Sequence, residues 1–278
     1  MSYLNEVLAA RELLANLTMR EIRGKYSRTV FGQLWSLVNP LVLMLIYTLV
    51  FGFILKVQPA PGNPSGLDVF ALWLLCALLP WTFFATVLTQ TVGSLVTHAN
   101  LIQKVYFTRI VLPLSVVGSS AYTWLFEMFI LLVALTIGGA RVLPWLPLLV
   151  LQMLLLALFA AGLALMAAIA NVYFRDTQYI VGLLLQLWLY LTPIIYPLSL
   201  VTKQSDQVGP VLGTTVTIAD IYSLNPMVHF VGIFRNLLYD NRAPEVAEWL
   251  ICTAWAFASI VVGALIFRRN EMRLAELL

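Results

Sequence analysis

No charged residue occurs between Thr29 and Leu55, and a dense basic run precedes this stretch. A helix that crosses about 30 Å of hydrocarbon needs roughly 20 apolar residues, and this stretch is long enough. Over the whole chain of 278 residues, 61% are hydrophobic and 10% are charged, whereas soluble domains carry about 25% charged residues. The sequence therefore predicts an integral membrane protein, with a boundary between water and lipid near Thr29.

Hydropathy predicts an all-α transmembrane domain over 34–267 that contains six transmembrane helices. The predicted spans are 34–55, 69–96, 111–138, 146–170, 179–200 and 247–267. Six crossings place both termini on one side. The outer loops then hold Lys56, Arg141, Lys203, Arg235 and Arg242, which leaves eleven of the 16 lysines and arginines on the inner side. This asymmetry favours both termini in the cytoplasm (N-in/C-in), with 268–278 as a cytoplasmic tail.

The N-terminal region, 1–33, has the pattern of an amphipathic helix. Leu13, Leu14, Leu17 and Ile22 recur at mostly helical spacing, with cations between them. Such a helix is expected to lie in the headgroup plane, because it runs directly into a membrane span. A solvated amphipathic tail is the alternative.

The outer region 201–246 combines turn signals with an apolar stretch, 227–239, that is too short to span a bilayer. We expect a helix that dips part-way into the membrane, as a re-entrant segment between the fifth and sixth spans. An interfacial helix without a role in transport is the alternative. Pro193 and Pro197 should bend the end of the fifth span.

Residues that could carry enzymatic chemistry are sparse. The phosphate-binding pattern G-x-x-x-x-G-K-[S/T] does not occur in the sequence, so the chain cannot hydrolyse ATP by that route. Glu127 is the one acidic residue deep in a predicted span, and without a visible charged partner it is interpreted as a packing residue. His98 and His229 are predicted on opposite sides of the bilayer, so neither a catalytic nor a metal site is predicted. The small positive charge bears on topology and lipid headgroups rather than on nucleic acid.

Aromatic residues are frequent in the predicted spans. Rings near span ends are ordinary at membrane interfaces, but as a set they also fit a path along which a sugar chain could slide. The candidates for this path are Tyr47, Phe51, Trp73, Trp81, Phe84, Trp188, Tyr190 and Tyr196.

Small residues cluster in the fourth span. Six alanines surround Gly162 at overlapping small-xxx-small spacing: Ala157, Ala160, Ala161, Ala164, Ala167 and Ala168. This pattern permits close helix approach, within the bundle or in a dimer.

The turn over 99–113 carries more apolar surface than a simple connection needs, at Leu101, Ile102 and Val105. A protein partner is expected to cover it. The alternative is a turn that lies flat on the headgroups with its apolar side in lipid.

Four ordered motifs resemble the membrane subunit of bacterial ABC transporters that export polysaccharides, such as the O-antigen and teichoic-acid exporters. They are R-E-I-R-x-K-Y-x-x-T-x-x-G-x-x-W-x-x-x-x-P, N-L-I-x-K-V-Y-F-x-R-x-x-L-P, L-x-L-T-P-I-I-Y-P and L-N-P-M-x-x-F-V-x-x-F-R. The resemblance covers nearly the whole chain.

This resemblance implies a bacterial inner-membrane permease that pairs with a second copy of itself and with two copies of a separate ATPase, which binds ATP and Mg. The cargo would be an undecaprenyl-linked polysaccharide, and its sugar identity does not transfer from the motifs. The segment 225–239 would be part of a periplasmic re-entrant gate. The segment 6–31 would be a cytoplasmic gate helix whose cations lie near the lipid pyrophosphate: Arg20, Arg23, Lys25 and Arg28.

The resemblance also implies two contacts with the ATPase. The segment 100–110 would be the main coupling helix, and 172–178 would be a second, shorter contact. The implied coupling residues are Asn100, Lys104, Tyr106, Arg109, Arg175 and Asp176. The alternatives are an ABC permease for a drug or small lipid, and a membrane enzyme that acts on a lipid-linked sugar.

Overall fold

The computed structural model describes residues 9–25, 32–54, 56, 60–105, 107–209 and 217–277. Within these ranges the regular structure is helical throughout, which confirms the predicted all-α class. The helices are, in chain order, α1 (Arg11–Lys25), α2 (Trp35–Tyr47), α3 (Phe70–Val92), α4 (Ser94–Thr97), α5 (Ala99–Lys104), α6 (Val111–Ile137), α7 (Leu146–Tyr173), α8 (Thr177–Tyr190), α9 (Leu198–Val208), α10 (Ile218–Ser223), α11 (Pro226–Arg235), α12 (Val246–Asn270) and α13 (Leu274–Leu277). The π-helical segments Thr48–Ile54 and Asn236–Asp240 extend α2 and α11.

Among the described residues, five helical segments are long and apolar enough to cross a membrane. They are Trp35–Ile54, Phe70–Val92, Val111–Ile137, Leu143–Tyr173 and Val246–Asn270. Each of them overlaps one of the six predicted spans.

The predicted fifth span, 179–200, is not one continuous helix. Helix α8 ends at Tyr190, and the chain passes through turns and a bend before α9 begins at Leu198. Proline removes a main-chain donor and restricts the preceding residue, so Pro193 and Pro197 prevent the helix from continuing. One continuous helix over 179–200 is therefore not found, and a crossing here stays a prediction, whereas the expected interruption by the two prolines is confirmed.

The core is built around α3, most of which is buried. Aromatic stacking connects α3 to its neighbours: the ring centroids of Phe83 and Trp124 lie 4.1 Å apart, and those of Phe84 and Phe159 lie 5.5 Å apart. Phe159 stacks in turn on Phe230 of α11 at 5.3 Å. The short helix α11 is therefore buried within the bundle, which a segment too short to span requires if it is to enter the apolar interior.

Helices α7 and α12 approach closely at two glycines. A Cβ atom on Gly162 would lie 2.2 Å from the main-chain carbon of Ser259, and one on Gly263 would lie 2.4 Å from the carbonyl oxygen of Gly162. The small residues of the fourth span thus serve packing within the bundle, one of the two uses that the sequence left open.

The connecting segments gather at two ends of the bundle. At the end that we call the terminal end, a second apolar cluster joins α1, α5, α7 and the C-terminal segment through Leu17, Ile102, Val172, Phe267 and Leu274.

The opposite end, which we call the loop end, joins three other connections. The main-chain N–H of Ser65 donates to the carbonyl of Asp240 at 3.0 Å, and the N–H of Arg141 donates to Asn241 Oδ1 at 2.7 Å. The segments that follow α2, α6 and α11 therefore meet away from the chain termini.

Candidate functional site: the terminal and loop ends of the bundle

The predicted coupling helix corresponds to α5 at the terminal end. Ile102 is 3% exposed and anchors α5 in the apolar cluster, while Asn100 and Lys104 are exposed. Val105 is 51% exposed and adds apolar surface beside them. Tyr106 lies outside the described residues. The turn thus has one face held by the bundle and another that is open.

Arg109 connects this turn to the C-terminal segment. Its main-chain N–H donates to Glu271 Oε1 at 2.7 Å, and its guanidinium Nη1 donates to the main-chain carbonyl of Glu271. The sequence indicated Arg109 but gave no sign of Glu271, because the two residues are far apart in the chain. Arg109 therefore fixes the turn against the C-terminal segment of the same chain.

The second predicted contact is the turn between α7 and α8, also at the terminal end. Arg175 and Asp176 are exposed there, and Phe174 is 74% exposed. Tyr173 Oη donates to Asn270 Oδ1 at 2.8 Å. Because Asn270 directly precedes Glu271, the C-terminal segment contacts both predicted coupling turns.

The cations of α1 have different surroundings. Arg20 Nη2 lies 2.8 Å from His98 Nε2 and 3.7 Å from Glu21 Oε1. An arginine can only donate, so His98 accepts at Nε2 and its Nδ1–H donates to the Ser94 carbonyl at 2.9 Å. Arg23 is exposed, and Arg28 lies outside the described residues.

Lys25 is exposed but lies at the edge of a cavity in the bundle. It lines this cavity together with Glu127 of α6, and the two charges attract each other. The Ser36 hydroxyl also hydrogen-bonds Glu127. The sequence showed no charged residue near Glu127, because Lys25 comes from a helix predicted outside the membrane spans; the interpretation of Glu127 as a packing residue stays a prediction.

Helix α1 packs against α6 over two turns or more, and its position relative to the headgroup plane stays a prediction. Thr18 packs against Gly118, where a Cβ atom would lie 3.1 Å from the threonine side chain. Seven residues later, Lys25 reaches the cavity of Glu127, which lies further along α6. A helix that crossed α6 at a steep angle would contact it over one turn only, so α1 runs along α6. The absence of a side chain at Gly118 permits this approach.

The eight candidate path aromatics fall into two groups. Trp73, Trp81 and Phe84 are at most 5% exposed and pack in the core. The other five are part-buried or exposed: Tyr47, Phe51, Trp188, Tyr190 and Tyr196. The second group has the larger accessible surface, so it holds the stronger candidates for a path.

Asn225 connects the end of α8 to the start of α11. Its Oδ1 accepts from Trp188 Nε1 at 2.7 Å and from the main-chain N–H of Met227 at 3.0 Å, which caps α11. Its Nδ2 donates to the Leu191 carbonyl at 3.0 Å. One amide thus fixes how the chain leaves α8 and how α11 begins.

Arg235 at the end of α11 is a site residue that sequence reasoning missed. Its guanidinium carbon lies 3.6 Å from the centre of the Trp73 ring, and Nη2 donates to the Ile194 carbonyl at 2.7 Å. Nη1 donates to the Pro193 carbonyl. The sequence did contain a signal, because Arg235 is a cation within the otherwise apolar stretch 227–239. Burying such a residue costs free energy unless it has a structural or functional partner.

Charges at the loop end surround a cavity of about 380 Å³ that Arg235 lines with Asp240, Arg242 and Glu248. Partial burial raises the pKa of the Asp240 carboxyl, and the nearby Arg242 opposes this effect. Arg242 Nε lies 3.4 Å from Asp240 Oδ2. In the described part of the chain, no group of three or more His, Cys, Asp or Glu residues is arranged to hold a metal ion.

Long apolar helices, a buried short helix and amphipathic segments at one end define a multi-pass helical membrane protein. The model of the ABC-2 type transporter family matches residues 12–239, and the chain belongs to this family.

Several curated proteins are similar to the chain over nearly its full length. An O-antigen export system permease protein, RfbA, of Myxococcus xanthus is 29% identical over 98% of this chain and 97% of its own length. The RfbA permease of Klebsiella pneumoniae is 28% identical over 96% of this chain and 95% of its own length. The polysialic acid transport protein KpsM of Escherichia coli is 24% identical over 92% of both chains.

Proposed function

We propose that this chain is the channel-forming permease subunit of an ATP-driven exporter that moves a lipid-linked polysaccharide out of the cytoplasm across the bacterial inner membrane. The observation that carries the proposal is similarity along nearly the whole chain to permeases named for O-antigen export and polysialic acid transport. Family membership supports the transport class, and the relatives' names support the class of cargo.

A six-crossing topology agrees with the positions of the two ends. Helix α7 finishes at the terminal end, where Tyr173 bonds Asn270, and α12 starts near Asn241 at the loop end. The chain must therefore traverse the bundle once between 177 and 246. Helix α8 covers about 21 Å at 1.5 Å per residue, and the irregular segment 191–197 supplies the remaining length. Such a broken crossing is tolerated where protein surrounds the irregular backbone.

The terminal end faces the cytoplasm in this proposal, because it carries most of the lysines and arginines. The exposed surfaces of α5 and of the turn at 174–176 are then available to a separate ATPase. Asn100, Lys104, Arg175 and Asp176 are the docking residues that we propose, with Tyr106 and Arg109 in the same turn. ATP binding by that partner would move the two turns and shift the packed helices as rigid bodies.

A second copy of the chain would complete the path for the cargo. The exposed face of α8 supports this step, because Leu183 and Leu187 are 64% and 62% exposed. The accessible aromatics, Tyr47, Phe51, Trp188, Tyr190 and Tyr196, would line the path, and Arg20 and Arg23 of α1 would meet the lipid pyrophosphate. Each cation near an anionic surface contributes about 1 kcal/mol.

The test is purification of the tagged chain from its native membrane, together with deletion of its gene. We expect to recover an ATPase at one copy per permease chain and to lose surface polysaccharide in the deletion strain. Unchanged surface polysaccharide would contradict the proposed cargo and favour export of a drug or small lipid. Recovery of the chain alone, while the ATPase is expressed, would favour a membrane enzyme or an unpowered channel.

A further inference from the structure

A cavity of about 330 Å³ lies between α1, α2, α3 and α6, with polar and aromatic residues in its lining. Lys25 closes it from α1, Trp35 and Ser36 line it from α2, and Glu127 lines it from α6. This volume is at the lower end of the range for small-molecule sites, about 300–1,000 Å³. The cavity is separate from the path aromatics described above, none of which lines it.

The lining is rich in hydrogen-bonding groups although three of the four helices are membrane spans. Besides Lys25 and Glu127, the polar lining residues are Ser36, Thr82, Thr86, Gln90, Ser120 and Thr123. Polar groups inside a membrane bundle are costly and usually have a partner or a function. These side chains can donate and accept, as a ligand with several hydroxyl groups requires.

Aromatic rings accompany the polar groups. Trp124 stacks on Phe83, and both rings line the cavity. Trp124 is 2% exposed, and its Nε1 has no hydrogen-bond partner among the described residues. A buried indole N–H normally finds a partner, so this donor could bond a ligand in the cavity.

The charges of the cavity select the kind of ligand. Among its described lining residues, Lys25 and Glu127 are the charged ones, and their charges are opposite. A carboxylate beside the site repels phosphate, and a balanced pair leaves little net field for an ion of either sign. Trp35 is 48% exposed and forms a rim toward the outside of the bundle, where a lipid could approach.

From this juxtaposition we propose that the cavity binds an uncharged, hydroxyl-rich head group carried on a lipid. The Phe83 and Trp124 rings bound the site, and Gln90, Thr123 and Glu127 bond the hydroxyl groups. If the head group is a sugar of the exported carrier, the inference rests on the proposed function. A glycerol head group of the bulk lipid would present the same chemistry.

The test uses the complete permease complex in lipid nanodiscs and a photoreactive alkyl hexoside with a diazirine beside the glycosidic oxygen. We expect cross-links in peptides that contain 82–90 and 120–127, and competition by excess unlabelled alkyl hexoside. Labelling should fall about fivefold in Gln90→Leu and in Glu127→Gln, because each loses hydrogen bonds to the head group. Trp124→Phe, which keeps an aromatic ring but loses the N–H and part of the indole, should also reduce labelling.

Thr89→Val is the matched control. Thr89 neighbours Gln90 on α3, is exposed and bonds its own helix through the Ala85 carbonyl, so labelling should be unchanged. Monodisperse elution and retained basal ATP hydrolysis would establish that each variant is folded and assembled.

Competing lipids identify the source and can overturn the proposal. Equal competition by an alkyl glycerol ether of the same chain length would support a polyol site and assign it to bulk lipid. Competition by the matching alkyl phosphate, or cross-links outside the two peptides, would overturn it. Absence of labelling in a strain that still exports polysaccharide would remove the site and leave the proposed function intact. Labelling in a strain whose surface polysaccharide does not depend on this gene would support the site and contradict the proposed function.

Discussion

The main-chain N–H of Arg109 donates to Glu271 Oε1 at 2.7 Å, and the Arg109 guanidinium donates a second hydrogen bond to the Glu271 carbonyl. The two residues are 162 positions apart. This double contact joins the turn after α5 to the end of α12, so the C-terminal segment supports the proposed ATPase docking surface.

Replacing Glu271 should therefore loosen the coupling turn without unfolding the bundle. Glu271→Ala leaves the Arg109 amide without its acceptor, and a lost hydrogen bond to a charged group is worth about 1.5–3 kcal/mol. We expect faster hydrogen exchange at the Arg109 amide and weaker stimulation of ATP hydrolysis by cargo. Arg273→Gln is the control, since Arg273 is exposed on the same segment. Equal exchange in both variants would show that the contact does not order the turn.

The glycine crossing of α7 and α12 predicts a steric cost. Gly162→Ala and Gly263→Ala place a methyl group within 2.4 Å of main-chain atoms, and overpacking of this kind costs about 1–3 kcal/mol. Thermal denaturation of the purified protein should shift to lower temperature in both. Gly182→Ala is the matched control, because a Cβ atom at that helical position meets nothing within 4 Å. A stable Gly162→Ala would mean that the helices can separate without penalty.

Arg235 should resist conservative replacement. Lys retains the charge but cannot bond the Pro193 and Ile194 carbonyls while it lies flat on Trp73, because only guanidinium has the planar fork. We expect Arg235→Lys to lower thermal stability and export together. Arg141→Lys, at an exposed position of the same end, should change neither quantity. If Arg235→Lys behaved as wild type, charge alone would explain the residue.

Cysteine labelling can distinguish six crossings from five. The native Cys76 and Cys252 are 0% exposed, so their background reaction should be low. With a membrane-impermeant maleimide on intact spheroplasts, we expect Arg141→Cys and Lys203→Cys to react, while Lys104→Cys, Arg175→Cys and Arg273→Cys react only after permeabilisation. Reaction of Arg273→Cys from outside would place the termini on opposite sides and remove the crossing at α8.

The sequence predicted those parts of the fold that depend on local composition. The third span was expected at 111–138 and is helical over Val111–Ile137, and the sixth was expected at 247–267 and is helical over Val246–Asn270. The fifth was expected at 179–200 with an end bent by Pro193 and Pro197, and its helix ends earlier, at Tyr190, because averaged hydropathy does not show where a proline stops a helix. The short apolar stretch 227–239 was recognised, since its length alone excludes a crossing.

Local composition could not predict contacts between residues that are far apart in the sequence. Lys25 was assigned to the lipid surface and Glu127 to packing, and nothing in either local pattern indicates that they share a cavity. The link from Arg109 to Glu271 is of the same kind. Such partners depend on helix registers that arise only when Thr18 meets Gly118 and α1 settles along α6.

The meeting of Gly162 and Gly263 has a mechanical consequence. Because main chain touches main chain there, no flexible side chain lies between α7 and α12 to absorb a displacement. The two helices are therefore expected to move as one rigid body that extends from the contact between Tyr173 and Asn270 to the loop end of the bundle. A displacement of the C-terminal segment would then tilt α7 and α12 together and so reach the opposite membrane face. The close packing at Gly162 and Gly263 would keep the two helices fixed relative to each other.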